Sequence, residues 1–263
     1  MSEAPKRPKL PPAYRLHALD SVASSNDEAR RLAGEGAEDG TLVWALEQTG
    51  GRGRHGRSWV SPRGNLYVSA VLRPDCDLAE AAQLGFVAAL GLGDALGSVM
   101  PPMTEVTFKW PNDVLVNDHK AAGILLESVT APDGTLDALI LGLGVNVAHA
   151  PADTPFPATS LHDEGSGHAL EAATLLEHWS RHFLTWVNRW VDEGFPPIRR
   201  AWLNRAKGQG AAIEVRLPTR TLHGSFHDLD ESGALLLDTA EGRERVHVGD
   251  VFFGPSGADA GPS

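Results

Sequence analysis

The eight residues Gly50-Gly51-Arg52-Gly53-Arg54-His55-Gly56-Arg57 set glycines between three arginines and a histidine. The whole chain carries a formal charge of −11, so a concentrated cationic loop runs against its bulk. Glycines without a Cβ let backbone approach a ligand and expose its N–H groups. Arginine offers a planar fork of donors that matches a carboxylate or a phosphate. Together they suit a site that holds two anions side by side and neutralises the charge developing between them. Gly/Arg-rich tracts also track nucleic-acid backbones, but those are long and repeated. This one is short, and it lies between two strand-like runs, Thr41–Leu46 and Asn65–Leu72. It therefore reads as a structured ligand loop.

The elements that must position this loop follow from local patterns. Ser25-Asn26-Asp27-Glu28 has the form of a capping box, so a helix starts near residue 25 and ends around Gly34 and Gly36. Strands follow near 41–48 and 65–72. Residues 77–98, rich in Ala and Leu at helical spacing, form a long helix with Gly85, Gly91 and Gly93 at close packing or a break. Short strands are expected at 105–109 and 113–117, and the turn Asn117-Asp118 leads into a strand over 121–130. Pro132-Asp133-Gly134 turns the chain into a strand over 136–147. Helices are expected at 169–193 and 196–206. Blocks of strands with helices inserted, rather than strict alternation, indicate an α+β fold with a mixed sheet. Beyond Lys207-Gly208-Gln209-Gly210 come short strands at 213–217, 224–230, 234–237 and 246–253, enough for a small barrel. The division expected is a flexible segment 1–12, a catalytic domain 13–207, a small domain 208–253 and a flexible tail 254–263.

Composition narrows the function classes. A chain of 263 residues, 42 % of them hydrophobic, can bury a core for one large domain and a small one. Residues 1–12 contain no apolar run of secretory type, and no uninterrupted apolar run is long enough for a bilayer. One cysteine, Cys76, excludes a disulfide framework and a multi-cysteine metal site, and its acidic neighbours Asp75 and Asp77 make it a spectator. A cytoplasmic setting is expected, with no membrane partner. The acidic balance argues against general affinity for nucleic acid.

Other segments join the glycine–arginine loop. They are Ser58-Trp59-Val60-Ser61-Pro62-Arg63-Gly64-Asn65-Leu66-Tyr67, Lys109-Trp110-Pro111-Asn112-Asp113, Lys120-Ala121-Ala122-Gly123-Ile124-Leu125-Leu126-Glu127 and Gly142-Leu143-Gly144-Val145-Asn146-Val147. In this order they closely resemble the catalytic core of biotin–protein ligases, over roughly residues 14 to 253. The resemblance implies a mixed-sheet domain related to class II aminoacyl-tRNA synthetases, followed by a small SH3-like barrel. It implies two reactions. Biotin carboxylate attacks the α-phosphate of ATP to give biotinyl-5′-AMP, and a lysine of a biotin carboxyl carrier domain of acetyl-CoA carboxylase or another carboxylase then takes the biotinyl group. Mg²⁺ is the implied cofactor.

The resemblance carries over residue by residue. Arg52 and Arg54, alternating with Gly51 and Gly53, would hold the biotin carboxylate and α-phosphate, and Lys120 would contact both groups. Gly123 would let backbone approach biotin. Ser24, Ser25 and Asn26 would donate to the ureido ring, although helix capping alone also explains Ser25 and could explain Ser24; the family's usual Ser-Thr-Asn is Ser-Ser-Asn here. Gln48 would contact the ureido or carboxamide group. Asn112 and Asp113 would face ATP and Mg²⁺, with a plain Pro-Asn-Asp turn as the alternative. Trp59 and Trp110 would line the pocket or belong to the core. Asn146 would orient the adenylate, and Ala148–Gly167, with Pro151, Pro155 and Pro157, would cover adenine. His55 receives no chemistry, and for Arg57 a solvated or loop-ordering role stands beside ligand contact. A lipoate–protein ligase would share the arginine chemistry but lack ureido contacts. A DNA-binding repressor would need a helix-turn-helix ahead of residue 25, for which there is no room, so no DNA partner is expected. A binding module without turnover and a homodimer both remain open.

Overall fold

A computed structural model describes residues 7–152, 154 and 156–253. In chain order the elements are β1 (Arg15–Leu19), α1 (Ser25–Gly34), β2 (Thr41–Ala45), β3 (Leu66–Leu72), α2 (Leu78–Ala81), α3 (Leu84–Val99), β4 (Val106–Lys109), β5 (Asp113–Val116), β6 (His119–Thr130) and β7 (Leu136–Val145). Then follow α4 (Ala172–Glu193), α5 (Phe195–Leu203), β8 (Ala212–Arg216), β9 (Thr221–Leu229), β10 (Leu235–Thr239), β11 (Gly242–Val246) and β12 (Asp250–Phe253). Seven strands form a sheet in the order β1-β2-β3-β7-β6-β5-β4. Only β1 and β2 run parallel, so the sheet is mixed and mostly antiparallel.

Strand alternation assigns the two faces. Leu42, Trp44, Leu66, Val68, Leu141 and Leu143 belong to the large core shared with α3, α4 and α5. Val43, Val71 and Ile140 pack with Ala29 and Ala33 of α1 on the opposite face. Every residue of β3 is buried, as a strand covered on both faces requires. At Gly91 an added Cβ would come within 2.9 Å of the Phe183 backbone, so α3 and α4 approach at a distance only glycine permits. Between β5 and β6, Asn117 and Asp118 both adopt positive φ (46° and 68°), the backbone of a tight hairpin turn.

The small domain is a five-stranded antiparallel sheet, β11-β10-β9-β8-β12, whose core is continuous with that of the large domain. The two are also tied by polar contacts. Trp110 Nε1 donates to Gly233 O (3.1 Å), Gln83 Nε2 to Glu231 O (3.2 Å) and Arg199 Nε to Leu229 O (2.6 Å).

Several expectations are corrected. The helix over 77–98 is two helices, α2 and α3, broken at Ala82-Gln83. Leu78–Val99 is nonetheless long and apolar enough to cross a membrane, and most of it is buried in the fold. The cap of α1 is Ser24, whose hydroxyl accepts from Asp27 N, not Ser25. The strand expected over 246–253 is divided between the end of β11 and β12. Within the segment expected to be flexible, Pro8 is buried, Leu10 packs on the core and Lys9 N donates to Glu177 (2.9 Å). Residues 1–6 and the tail 254–263 lie outside the described residues. The boundary expected at 207/208 falls in the connection between α5 and β8.

Candidate active site

A cavity of about 450 Å³ opens on the α1 face of the large sheet. Strand register builds its floor. Tyr67, Gly144, Gly123, Asp113 and Lys109 stand opposite one another across β3, β7, β6, β5 and β4. Because side chains alternate along each strand, this row faces one side. The glycines leave the hollow. An added Cβ at Gly144 would lie 2.6 Å from Trp59 Nε1, and one at Gly142 would collide with the Asn26 amide. At Gly123 it would meet the Trp59 ring at 3.2 Å, so what presses on Gly123 here is the indole.

The glycine–arginine loop forms one wall and is folded back on itself. Arg52 bridges Ser58, Gly53 N donates to Arg57 O (2.7 Å), and Trp59 N donates to Gly51 O (2.9 Å). Gly51 is obligatory, since a Cβ would strike the Trp59 carbonyl and Ser61 hydroxyl. Each arginine is held by groups distant in sequence. Arg52 pairs with Asp27 and Glu127 (3.0 Å). Arg54 donates to Asn112 Oδ1 (3.2 Å) and Gly249 O (3.3 Å) and faces Asp250 at 3.9 Å. Arg57 pairs with Asp250. His55 sits exposed at the crest of the loop with φ 55°.

On the floor, Asp113 takes two lysines. Lys120 Nζ lies 2.6 Å from one carboxylate oxygen and Lys109 Nζ 3.5 Å from the other. Lys109 is 6 % exposed, and its ammonium stands 4.0 Å over the Phe156 ring and 5.6 Å over Phe252. Burial pulls Lys109 below the usual lysine range, and the neighbouring Lys120 adds to that, while Asp113 opposes it. Burial likewise lowers Arg54. For Asp250 burial pushes the carboxyl up, but the Arg57 hydrogen bond and the charges of Arg57 and Arg54 outweigh it and hold the group below the ordinary range. Among the described residues, five cations and two carboxylates line the cavity.

The other end is neutral and polar. Ser24, Ser25, Asn26 and Gln48 line it, and the first three are nearly fully buried. Gln48 Oε1 accepts from Ser25 N (2.7 Å) and Gln48 Nε2 donates to Ser61 Oγ (3.0 Å). Asn146 also lines the cavity, but its Nδ2 donates to Thr159 O (3.1 Å) and its carbonyl accepts from Leu161 N (2.8 Å). It thus holds the covering segment, whose Pro151, Thr154, Phe156 and Ala158 reach the cavity. Pro155, in the same expected cover, lies outside the described residues.

The structure therefore brings Arg52, Gly53, Arg54, Trp59, Asn112, Asp113, Lys120, Gly123 and Asn146 into one cavity with the Ser24–Asn26 turn and Gln48. Trp110 is not among them; it is a core residue that anchors the barrel. Asn112 and Asp113 fit a metal poorly. The Asn112 amide is committed to Ile124 O (2.7 Å) and Arg54, and Asp113 to two lysines. Among the described residues no three His, Cys, Asp or Glu side chains cluster for a metal. Cys76 lies outside the cavity, and burial, then its acidic neighbours, pushes its thiol up to about 11. Sequence reasoning missed Asp250 and Phe252, which the barrel supplies. It also gave no role to Lys109, although the motif containing it was visible.

Comparison with known proteins follows the same outline. Residues 56–204 match the biotin/lipoate A/B protein ligase family, and residues 210–254 match the biotin protein ligase C-terminal domain. A biotin–[acetyl-CoA-carboxylase] ligase of Paracoccus denitrificans is 45 % identical over 90 % of this chain and 99 % of its own length. The structure of a biotin protein ligase from Aquifex aeolicus in complex with biotin and ATP superposes with a TM-score of 0.76 at 28 % identity, covering 90 % of this chain and 97 % of the other. A biotin protein ligase from Leishmania major in complex with biotinyl-5-AMP gives a TM-score of 0.63 at 26 % identity, covering 90 % and 100 %.

Proposed function

Since this chain belongs to the biotin–protein ligase family, we propose that its cavity joins biotin to ATP as biotinyl-5′-AMP and passes the biotinyl group to a lysine of a biotin carboxyl carrier domain. The observation that carries this reading is the division of one cavity into a neutral polar end and a cationic end, joined by a floor of glycine, Tyr67 and Trp59. A neutral cyclic urea fits the first end, an apolar ring and chain fit the middle, and a carboxylate beside phosphates fits the second. Polar groups at the closed end reject a ligand that cannot pair with them, which favours biotin over lipoate.

In the first step a biotin carboxylate oxygen attacks the α-phosphorus and pyrophosphate leaves. Two anions must meet, so the approach depends on fixed positive charge. Arg54 and Lys120 both line the cavity, held on the neighbouring Asn112 and Asp113, and serve as the charges that draw the carboxylate and α-phosphate together. Arg52 and Arg57, more exposed, complete the rim, and Lys109 meets the outer phosphates from the floor. In the second step the ε-amine of the acceptor attacks the activated carbonyl and AMP leaves. The phosphate contacts that stabilised the first transition state then stabilise the leaving group, and the covering segment keeps water from the anhydride. Magnesium would enter on the phosphate oxygens of ATP, because Asn112 and Asp113 are otherwise engaged. A chain that consumes ATP and keeps its one thiol unpaired suits the cytoplasm.

The test is to incubate the protein with Mg-ATP, a biotin carboxyl carrier domain and either biotin or lipoate, and to weigh the acceptor by intact mass spectrometry. The expected result is one biotinyl addition per acceptor with biotin and none with lipoate. Addition of lipoate instead would overturn the assignment of the closed end, and no addition with either, without pyrophosphate release, would overturn the ligase reading.

A further inference from the structure

Beneath the cavity runs a hydrogen-bond chain that the reaction itself does not use. Ser69, at the centre of β3, is fully buried and is the strand's one aliphatic hydroxyl. Its Oγ lies 2.6 Å from Asn26 Oδ1 and 2.8 Å from Ser25 Oγ. Asn26 Nδ2 donates to Glu127 Oε2 (2.7 Å), which also receives Arg52 (3.0 Å). Gly142, directly opposite Ser69 in the sheet, leaves the space that the Asn26 amide fills.

Counting protons along this chain fixes its direction. The Glu127 carboxylate, facing Arg30 and Arg52, only accepts, so Asn26 must turn its NH₂ towards Glu127 and its carbonyl oxygen towards Ser69. A carbonyl oxygen has no proton to give, so Ser69 must spend its single hydroxyl proton on Asn26. Ser69 then has only lone pairs left for Ser25, and Ser25 must spend its own proton on Ser69. The reverse order would leave two buried oxygens 2.6 Å apart with no proton between them. The Ser25 backbone N–H is already taken by Gln48. What Ser25 can offer to the cavity it lines is a lone pair.

We propose that Glu127, Asn26 and Ser69 are positioning residues that set the hydrogen-bond polarity of the pocket, making Ser25 an acceptor that takes an N–H of the bound cyclic urea. The relay rests on the reading of the cavity as a biotin site and deepens it. It reverses the donor role expected for Ser25 and fixes the Asn26 amide with its carbonyl on Ser69 and its NH₂ on Glu127. The pocket then discriminates by donor direction as well as by shape: a ligand presenting an oxygen lone pair at this point meets another lone pair.

Titration calorimetry with biotin and with its two cyclic carbamate analogues, each replacing one ureido N–H by a ring oxygen, tests this. The wild-type protein should bind biotin at least about 100-fold more tightly than the analogue lacking the N–H that faces Ser25. In Ser69→Ala the Ser25 proton is released and can turn towards the ring oxygen. In Glu127→Gln the side chain at 127 can donate as well as accept, so the Asn26 amide can reverse. Both variants should bring the preference down to about tenfold or less, whatever happens to biotin affinity itself. Merely structural damage would weaken all three ligands alike and leave the ratio unchanged, which would overturn the relay. Equal wild-type affinity for biotin and both carbamates would also overturn it. If Ser69→Ala fails to fold, Glu127→Gln, at the edge of the cavity, decides. A wild-type protein that binds no biotin would instead sink the biotin reading.

Discussion

Lys109 shows how far a single residue can be held from its preferred state. Its ammonium is almost entirely buried, sits over an aromatic ring and shares one carboxylate with Lys120. A desolvated cation is costly unless fully paired, and 3.5 Å to a shared partner is incomplete pairing. Lys109→Met keeps the length of the side chain and removes the charge, while Asp113 keeps Lys120 at 2.6 Å. This variant should gain about 1 kcal/mol in stability and lose about 100-fold in the rate of pyrophosphate release. The pH dependence has a definite sign. Burial lowers the folded-state value of Lys109 below its unfolded value of about 10.4. Between the two values the unfolded chain binds more protons, so stability rises with pH there. Below the folded value the penalty is present in full. The stability gap between variant and wild type should therefore be widest near neutrality and narrow as the pH climbs into the alkaline range. Urea unfolding at a series of pH values measures it, and a gap that widens with pH would remove the buried charge as its cause.

Among the elements, β7 decides whether there is a pocket at all. Its core face carries Leu141 and Leu143, and its other face carries Gly142 and Gly144. Gly144→Ala places a methyl 2.6 Å from the Trp59 ring nitrogen, against a wall that cannot move without the whole loop. Overpacking of this kind costs about 1–3 kcal/mol. Biotin affinity should fall about tenfold or more, with a shift in tryptophan emission and an unfolding midpoint lowered in step with that cost. Unchanged affinity and emission would mean that Trp59 does not define the pocket. This glycine face was visible in the sequence only as Gly142-Leu143-Gly144; that it opposes Asn26 and Trp59 depends on strand register, which no spacing reveals. Elements with strong periodicity or turn chemistry were legible, among them α4, α5 and the β5–β6 hairpin at Asn117-Asp118. β1 was not, because Arg15-Leu16-His17-Ala18-Leu19 is a five-residue edge strand with three exposed positions, whose short alternation is too weak to set it apart. β11, with charge at three of its five positions, carries no apolar pattern either. The Ser24–Ser25 cap was read one residue late, since Ser25 and Glu28 mimic a capping box while Glu28 in fact pairs with Arg31.

At the scale of the whole molecule the barrel completes the site. The motif-bearing segments all lie in the large domain, so nothing in their spacing announces that β12 places Asp250 and Phe252 in the same cavity. Asp250 is an unexpected choice at a place proposed for phosphates. Its carboxylate holds Arg57 and faces Arg54, two arginines that the proposed reaction would turn to the nucleotide. It can be understood as a stand-in that keeps these side chains extended and the loop docked on the barrel until a stronger anion arrives. The trade is possible because the pair is half open to water, where an exchange of ion-pair partners costs little. Asp250→Asn preserves the backbone pairing of β12 with β8 and should fold normally. With Arg57 released, the loop should spend less time over the cavity. The KM for ATP should rise about tenfold, and biotinyl-5′-AMP should escape faster in a single-turnover trap, because the ordering cost of the loop then falls on the ligand. The wild-type carboxyl is held below the ordinary range, so its contribution is complete above the unfolded carboxylate value and is lost as pH falls through the lowered one. Loop docking should accordingly weaken only in acid, and the variant should lack that acid limb. If KM and adenylate escape are unchanged in Asp250→Asn, the Asp250 carboxylate has no part in docking the loop, and Arg54 is held by Asn112 and the Gly249 carbonyl alone.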